Sequence, residues 1–161
     1  MATTKANFGT STAITCTLAS LASSATAGRG SLAVDNTANL YESIIATVGV
    51  KTSATALAND KGVYVYVYGS EDGTNYNASG AEAVGTDAAV TLDSTTNMVL
   101  AGFINCPTTS QTYRIIFDVI QVLGFVPRKW GIVVRNYTGQ ALDSTEGNHQ
   151  KTFTGVGRTI T

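Results

Sequence analysis

Charge is the scarcest commodity in this chain. Lys, Arg, Asp and Glu together make up 13% of its 161 residues, about half the usual share. Solubility of a lone monomer leans on charge, so the shortage favours a surface of Thr, Ser and Ala that packs on other protein. The few cations are dispersed. Lys5, Lys51 and Lys61 stand apart, and Arg128-Lys129 is the one small cluster. Duplex nucleic acid needs several cations to displace counterions, so no nucleic-acid partner is expected.

Other absences narrow the chemistry. One histidine and two distant cysteines cannot build a zinc site unaided, and no metal or other cofactor is expected. A secreted disulfide framework would use more than Cys16 and Cys106. Both lie in apolar, strand-like surroundings and are read as buried free thiols, with a single bridge the less favoured reading. No run approaches the ~18 apolar residues of a membrane-crossing helix, so no membrane partner is expected. "AITCTLASLASSATAG" ends in the A-x-A-like Ala25-Thr26-Ala27. Thr15, Thr17 and Ser20 break its apolar run, and only Lys5 precedes it with positive charge, so it is read as part of the fold.

What is present alternates. "TAITCTL" (12–18) sets Ile14, Cys16 and Leu18 against Ala13, Thr15 and Thr17, a half-buried strand. "SSATAGRGS" reads as a glycine-punctuated loop, and "SLAV" (31–34) as a short strand. "NLYESIIATVGVK" (39–51) admits a helix in its first half, but its β-branched residues favour a strand. Further strands are expected over 88–93, 97–105 with an interruption at Gly102, 112–124, 130–139 and 151–160. In 112–124, Ile115, Phe117, Val119 and Gln121 would share one face. Asp118 is read as outward-facing or as paired with an arginine, Arg114 or Arg135. The total is about eight short strands and no convincing helix. That pattern predicts an all-β fold, an antiparallel β-sandwich with jelly-roll-like character, with an open barrel as the alternative. Residues 1–11 read as a flexible or partner-bound arm, and 12–161 as a single domain.

The loudest segment is "VYVYVYGSEDGTNY" (63–76). A period of two sends Val63, Val65 and Val67 to one face and Tyr64, Tyr66 and Tyr68 to the other. The valines belong inside. The tyrosines pack beneath a neighbouring segment or serve a protein–protein interface, where Tyr is enriched. A stacking platform for sugars or bases ranks third. "SEDGTN" offers Glu71, Asp72 and Asn75, too few acids for a calcium loop, so Asp72-Gly73 is first of all a turn.

His149 lies near Asp143, Ser144 and Glu146 on one polar loop. Catalytic triads are assembled from separated elements around a pocket, so no enzymatic activity and no catalytic residue is expected. Trp130 is read chiefly as a core anchor, or as a contact residue where exposed.

The polar start "MATTKANFGTSTAITCTLASLASSATAGRGS", the "VYVYVYGSEDGTNYN" and "KWGIVVRNYTGQAL" segments and the glycine-spaced final strand resemble small virion structural proteins of tailed bacteriophages, especially head decoration (cement) proteins. That resemblance implies a β-rich, non-enzymatic protein on the virion's outer capsid surface, made in the host cytoplasm. It would be a homo-oligomer, with a trimer favoured, bound to the major capsid protein. Tyr64, Tyr66, Tyr68, Phe125 and Trp130 are the contact candidates, chosen for their chemistry. The competing expectation is a carbohydrate- or receptor-binding sandwich of a phage tail or capsid fibre, with Tyr76 beside Asp72 and Asn75.

Overall fold

The computed structural model describes residues 4–58, 62–79, 82–92 and 96–160. Residues 1–3 of the expected arm, Lys61 and Asp93 lie outside them. Among the described residues, eleven strands form two antiparallel sheets. They are β1 (Thr4–Phe8), β2 (Thr12–Ala13), β3 (Ala27–Gly30), β4 (Val34–Asp35), β5 (Ser43–Lys51), β6 (Gly62–Ser70), β7 (Ala89–Thr91), β8 (Val99–Asn105), β9 (Thr112–Asp118), β10 (Lys129–Tyr137) and β11 (Gln150–Ile160). A short helix, α1 (Val119–Leu123), lies between β9 and β10, and a single 3-10 turn (Glu146–Asn148) precedes β11. The first sheet runs β1-β11-β5-β9, with β2 also on β11. The second runs β7-β3-β10-β6-β8, with β4 also on β10.

The alternation explains the sandwich. Val63, Val65 and Val67 of β6 are fully buried, as are Trp130, Ile132 and Val134 of β10 and Ile44, Ala46, Val48 and Val50 of β5. Each buried aliphatic side chain contributes roughly 1.5–3 kcal/mol. Trp130 meets Phe153 of β11 edge-to-face, with centroids 5.4 Å apart. The two sheets therefore close on one apolar layer. The first half of 39–51, open to a helix by sequence, instead leads into β5.

Three expectations need correction. The strand expected over 112–124 stops at Asp118. The Asp118 carboxylate accepts from the N–H groups of Ile120 and Gln121 and so caps α1, while Gly124 closes it at φ 78°. Its other partner is the Ser43 hydroxyl, not an arginine. Val119 thus enters the core from a helix. Next, part of the glycine loop is strand β3. A Cβ on Gly28 would press on the Val134 carbonyl, and one on Gly30 on Val90. The bare backbone lets β3 lie close against its neighbours, a packing reason that composition does not display. Finally, Thr4–Phe8 lies as an exposed edge strand along its own β11, register Thr4↔Ile160 to Phe8↔Val156.

The segment 14–19 is a strap between the sheets. Ile14, Cys16 and Leu18 point inward as expected, at 2%, 3% and 0% exposure. Its backbone pairs only briefly with each sheet: the Ile14 N–H donates to the Lys151 carbonyl and the Leu32 N–H to the Thr15 carbonyl. Cys16 and Cys106 are free and buried. Burial pushes the Cys16 thiol up to about 12 and the Cys106 thiol to about 11.

Two outcomes follow from this packing. Trp130→Ala should lower unfolding stability by about 3–5 kcal/mol in a urea titration, with the far-ultraviolet strand signal kept in dilute buffer. Neither thiol should react with a chromogenic disulfide at pH 8 in the native protein, and both should react in denaturant.

Candidate aromatic–arginine face

The outer face of β6 is divided along its length. At one end the Tyr68 ring lies across Gly131 of β10, where any Cβ would collide with it. The Tyr68 hydroxyl donates to the Ser31 carbonyl at 2.7 Å, and the Ser31 hydroxyl accepts from the Ile132 N–H at 3.0 Å. Burial lifts the Tyr68 phenol to about 12. Tyr76 meets Tyr68 edge-to-face at 5.2 Å. With Val90, Leu92, Met98 and Val133 these residues make a second apolar cluster outside the sandwich.

At the other end the sheet is only partly covered. Tyr64 and Tyr66 are half-buried. The Phe103 ring lies over Gly62, where a Cβ would strike it, and meets Tyr64 edge-to-face at 5.0 Å. Phe103 and Leu100 are 48% and 49% exposed. Opposite Tyr64 in the register stands Arg135. Its guanidinium carbon is 4.2 Å from the Tyr64 ring centre, 5.6 Å from that of Tyr137 and 6.0 Å from that of Tyr66. Such contacts hold a cation over ring faces.

The five contact candidates thus part company. Tyr64 sits in this open patch, and Tyr66 stands at its boundary, packed in part against the second cluster. Tyr68 and Trp130 are fully buried and are corrected to packing residues: the first is covered by Tyr76, Val90, Leu92 and Met98, and the second faces inward on β10. Phe125 is half-buried beside Leu123 over Gly69. Sequence reasoning missed Leu100, Phe103, Arg135 and Tyr137 as members of the patch. The outward alternation Val133, Arg135, Tyr137 carried part of the signal, but the register with β6 was needed to place it.

The acidic turn is closed on itself. The Asp72 carboxylate accepts from the Ser70 hydroxyl and from the N–H groups of Thr74, Asn75 and the Asn75 side chain, at 2.6–2.9 Å. The Asn75 and Thr74 N–H donors hold its carboxyl far below the usual range. Gly73 turns at φ +82°. This loop reverses a strand. Among the described residues no group of three or more His, Cys, Asp or Glu is placed to hold a metal, and no helix is long and apolar enough to cross a membrane. Tyr76 leans on Tyr68, while Asp72 and Asn75 bond each other.

His149 is buried, and both ring nitrogens bond backbone. The Lys51 N–H donates to Nδ1 at 3.2 Å, so Nε2 carries the proton and donates to the Asp143 carbonyl at 3.0 Å. The Asp143 carboxylate instead accepts from Asn148 and Thr145, which hold it down at about 2. This cluster clamps the 142–149 loop to β5.

Two more carboxylates pin the strap, beside an open trough of about 520 Å³. Asp87 accepts from the Thr17 N–H and hydroxyl and from Arg29. Glu146 accepts from the Leu18 and Ala19 N–H groups and pairs with Lys151. Burial would raise both carboxyls, but these donors outweigh it and hold each below its ordinary value.

Groups depressed on folding stabilise fully above their unfolded values near 4 and lose that contribution as pH falls through the lower, folded values. Urea midpoints measured from pH 7 to 2.5 should therefore fall most steeply below about pH 4. Asp87→Asn should be less stable at neutral pH and flatter in acid. As a whole, the chain matches no family model, no curated relative and no solved structure.

Proposed function

We propose that this chain is a non-enzymatic structural protein that works by adhesion. The open patch of Tyr64, Tyr66, Leu100, Phe103, Arg135 and Tyr137 carries that reading. Tyr and Arg dominate the energetic centres of protein interfaces, because they supply large contact area and directed hydrogen bonds. The polar clusters around Asp72, Asp87, Asp143 and Glu146 are occupied in holding their own loops, and they lend no support to a poised nucleophile. A uniform, charge-poor surface of small residues fits a protein that spends its working life packed on others.

The specific form comes from the resemblance to head decoration proteins. The chain binds the outer capsid surface of a tailed phage through the major capsid protein, as a homo-oligomer with a trimer favoured, and stabilises the shell. It is made in the host cytoplasm and resides on the virion. The physical route is linkage. A protein that binds only the assembled shell stabilises it by RT ln(1 + [L]/Kd), about 2.7 kcal/mol per site at a hundredfold excess over Kd.

Light scattering and sedimentation with empty shells of the parent phage test this. The isolated protein should scatter as an oligomer and pellet with shells. The Tyr64→Ala/Phe103→Ala double variant should lose at least tenfold in shell affinity while keeping its own melting temperature within a few degrees. A monomer that never pellets would end the decoration reading, and binding on a glycan array would favour the carbohydrate-binding alternative.

A further inference from the structure

The geometry points to a carboxylate as the feature that the open patch recognises: an Asp or Glu side chain of a partner protein, seated on Arg135. This inference rests on the reading of the chain as an adhesive protein and names the chemistry of its partner.

Among the described residues no carboxylate pairs with Arg135. A guanidinium carries five N–H donors. Here one nitrogen donates to the Ala25 carbonyl at 3.2 Å. Nε is shielded from solvent and has no acceptor. The ion pairs of the described residues are Arg29–Asp87, Lys51–Asp143, Lys151–Glu146 and Arg158–Glu42, and Arg135 is in none of them. The rings of Tyr64, Tyr66 and Tyr137 steady the charge but do not cancel it.

The surroundings say what would cancel it. A half-buried guanidinium between rings is shielded from water, so a charge-assisted, two-pronged bond to a carboxylate is stronger there than on an open surface. Three rings within 4.2–6.0 Å also restrain the guanidinium before any partner arrives, which lowers the ordering cost of binding. Leu100 and Phe103 add an exposed apolar flank. An acidic residue beside aliphatic or aromatic neighbours matches this pattern of one charge in an apolar frame. The patch is an open strand face, and none of its residues lines the concavities beside the strap or beside Tyr76. Small sugars bind in concave sites, so a protein surface is the better occupant.

The test uses the whole chain. A library of random twelve-residue peptides displayed on phage would be selected on the immobilised protein, and the enriched peptides synthesised. The expected result is enrichment of Asp or Glu next to an apolar residue. Affinity should fall at least tenfold with Arg135→Met, recover in part with Arg135→Lys, and weaken with added salt. Replacing the peptide's acid by its amide should cost the wild type at least tenfold and Arg135→Met little. Arg135→Gln serves where Arg135→Met does not fold.

Enriched peptides without acids, or acidic peptides that bind Arg135→Met as tightly as the wild type, would overturn the inference. So would binding of sialic- or uronic-acid glycans on an array with no peptide enriched. Shell sedimentation separates the two readings. Equal pelleting of wild type and Arg135→Met would leave adhesion standing and remove the carboxylate. Loss of acidic-peptide binding in Arg135→Met, with no pelleting of the wild type, would keep the carboxylate and remove the capsid as the partner.

Discussion

The pairing of β6 with β10 is the constraint on which the rest of the molecule depends. Nine residues on each strand are in continuous register, from Gly62↔Tyr137 to Ser70↔Lys129. Because side chains alternate strictly, a slip of one residue would turn every valine of β6 outward and every tyrosine inward. The inner face of the pair supplies Val63, Val65, Val67, Trp130, Ile132 and Val134 to the main core. The outer face supplies both the covered cluster around Tyr68 and the open patch around Tyr64. One ladder therefore decides stability and surface chemistry together.

Glycines opposite rings let that ladder carry so many aromatics. Gly131 accepts the Tyr68 ring and Gly62 accepts Phe103. A side chain at either place would lift the ring from the sheet. The same device has opposite consequences at the two ends. Near Gly131 the ring is sealed by Tyr76, Leu92 and Met98. Near Gly62 the rings stay open and surround Arg135. A strand that looks uniform by sequence is thus buried at one end and presented at the other.

Polar side chains do the fastening at the margins. Asp87 and Glu146 tie the strap, His149 and Asp143 tie the 142–149 loop, and the buried Asn136 amide donates to the carbonyls of Leu21 and Gln140. Each satisfies backbone groups that no ladder reaches, which is the requirement for burying loop backbone at all. The scarcity of charge in the chain becomes intelligible here: much of the carboxylate inventory is spent internally.

The periodic part of the architecture was legible from the residues alone. Val63, Val65 and Val67 and the sandwich class follow from a period of two, because burial selects one face of a pleated strand. Ile14, Cys16 and Leu18 keep the same inward alternation, although the strand expected over 12–18 is strand only at Thr12–Ala13 and extended strap beyond it. The Asp72-Gly73 turn was legible for a similar local reason. Three features were not. The helix after Asp118 was hidden in a strand-like run, since its stability comes from a cap and from core contacts. Strand β3 was hidden by its glycines, which only a close neighbour explains. The patch around Arg135 was hidden because its members come from three strands. Alternation along one strand says which residues share a face. Only register between strands says which residues meet on it, and only the tertiary placement of Tyr76, Val90, Leu92 and Met98 decided which tyrosine would be covered.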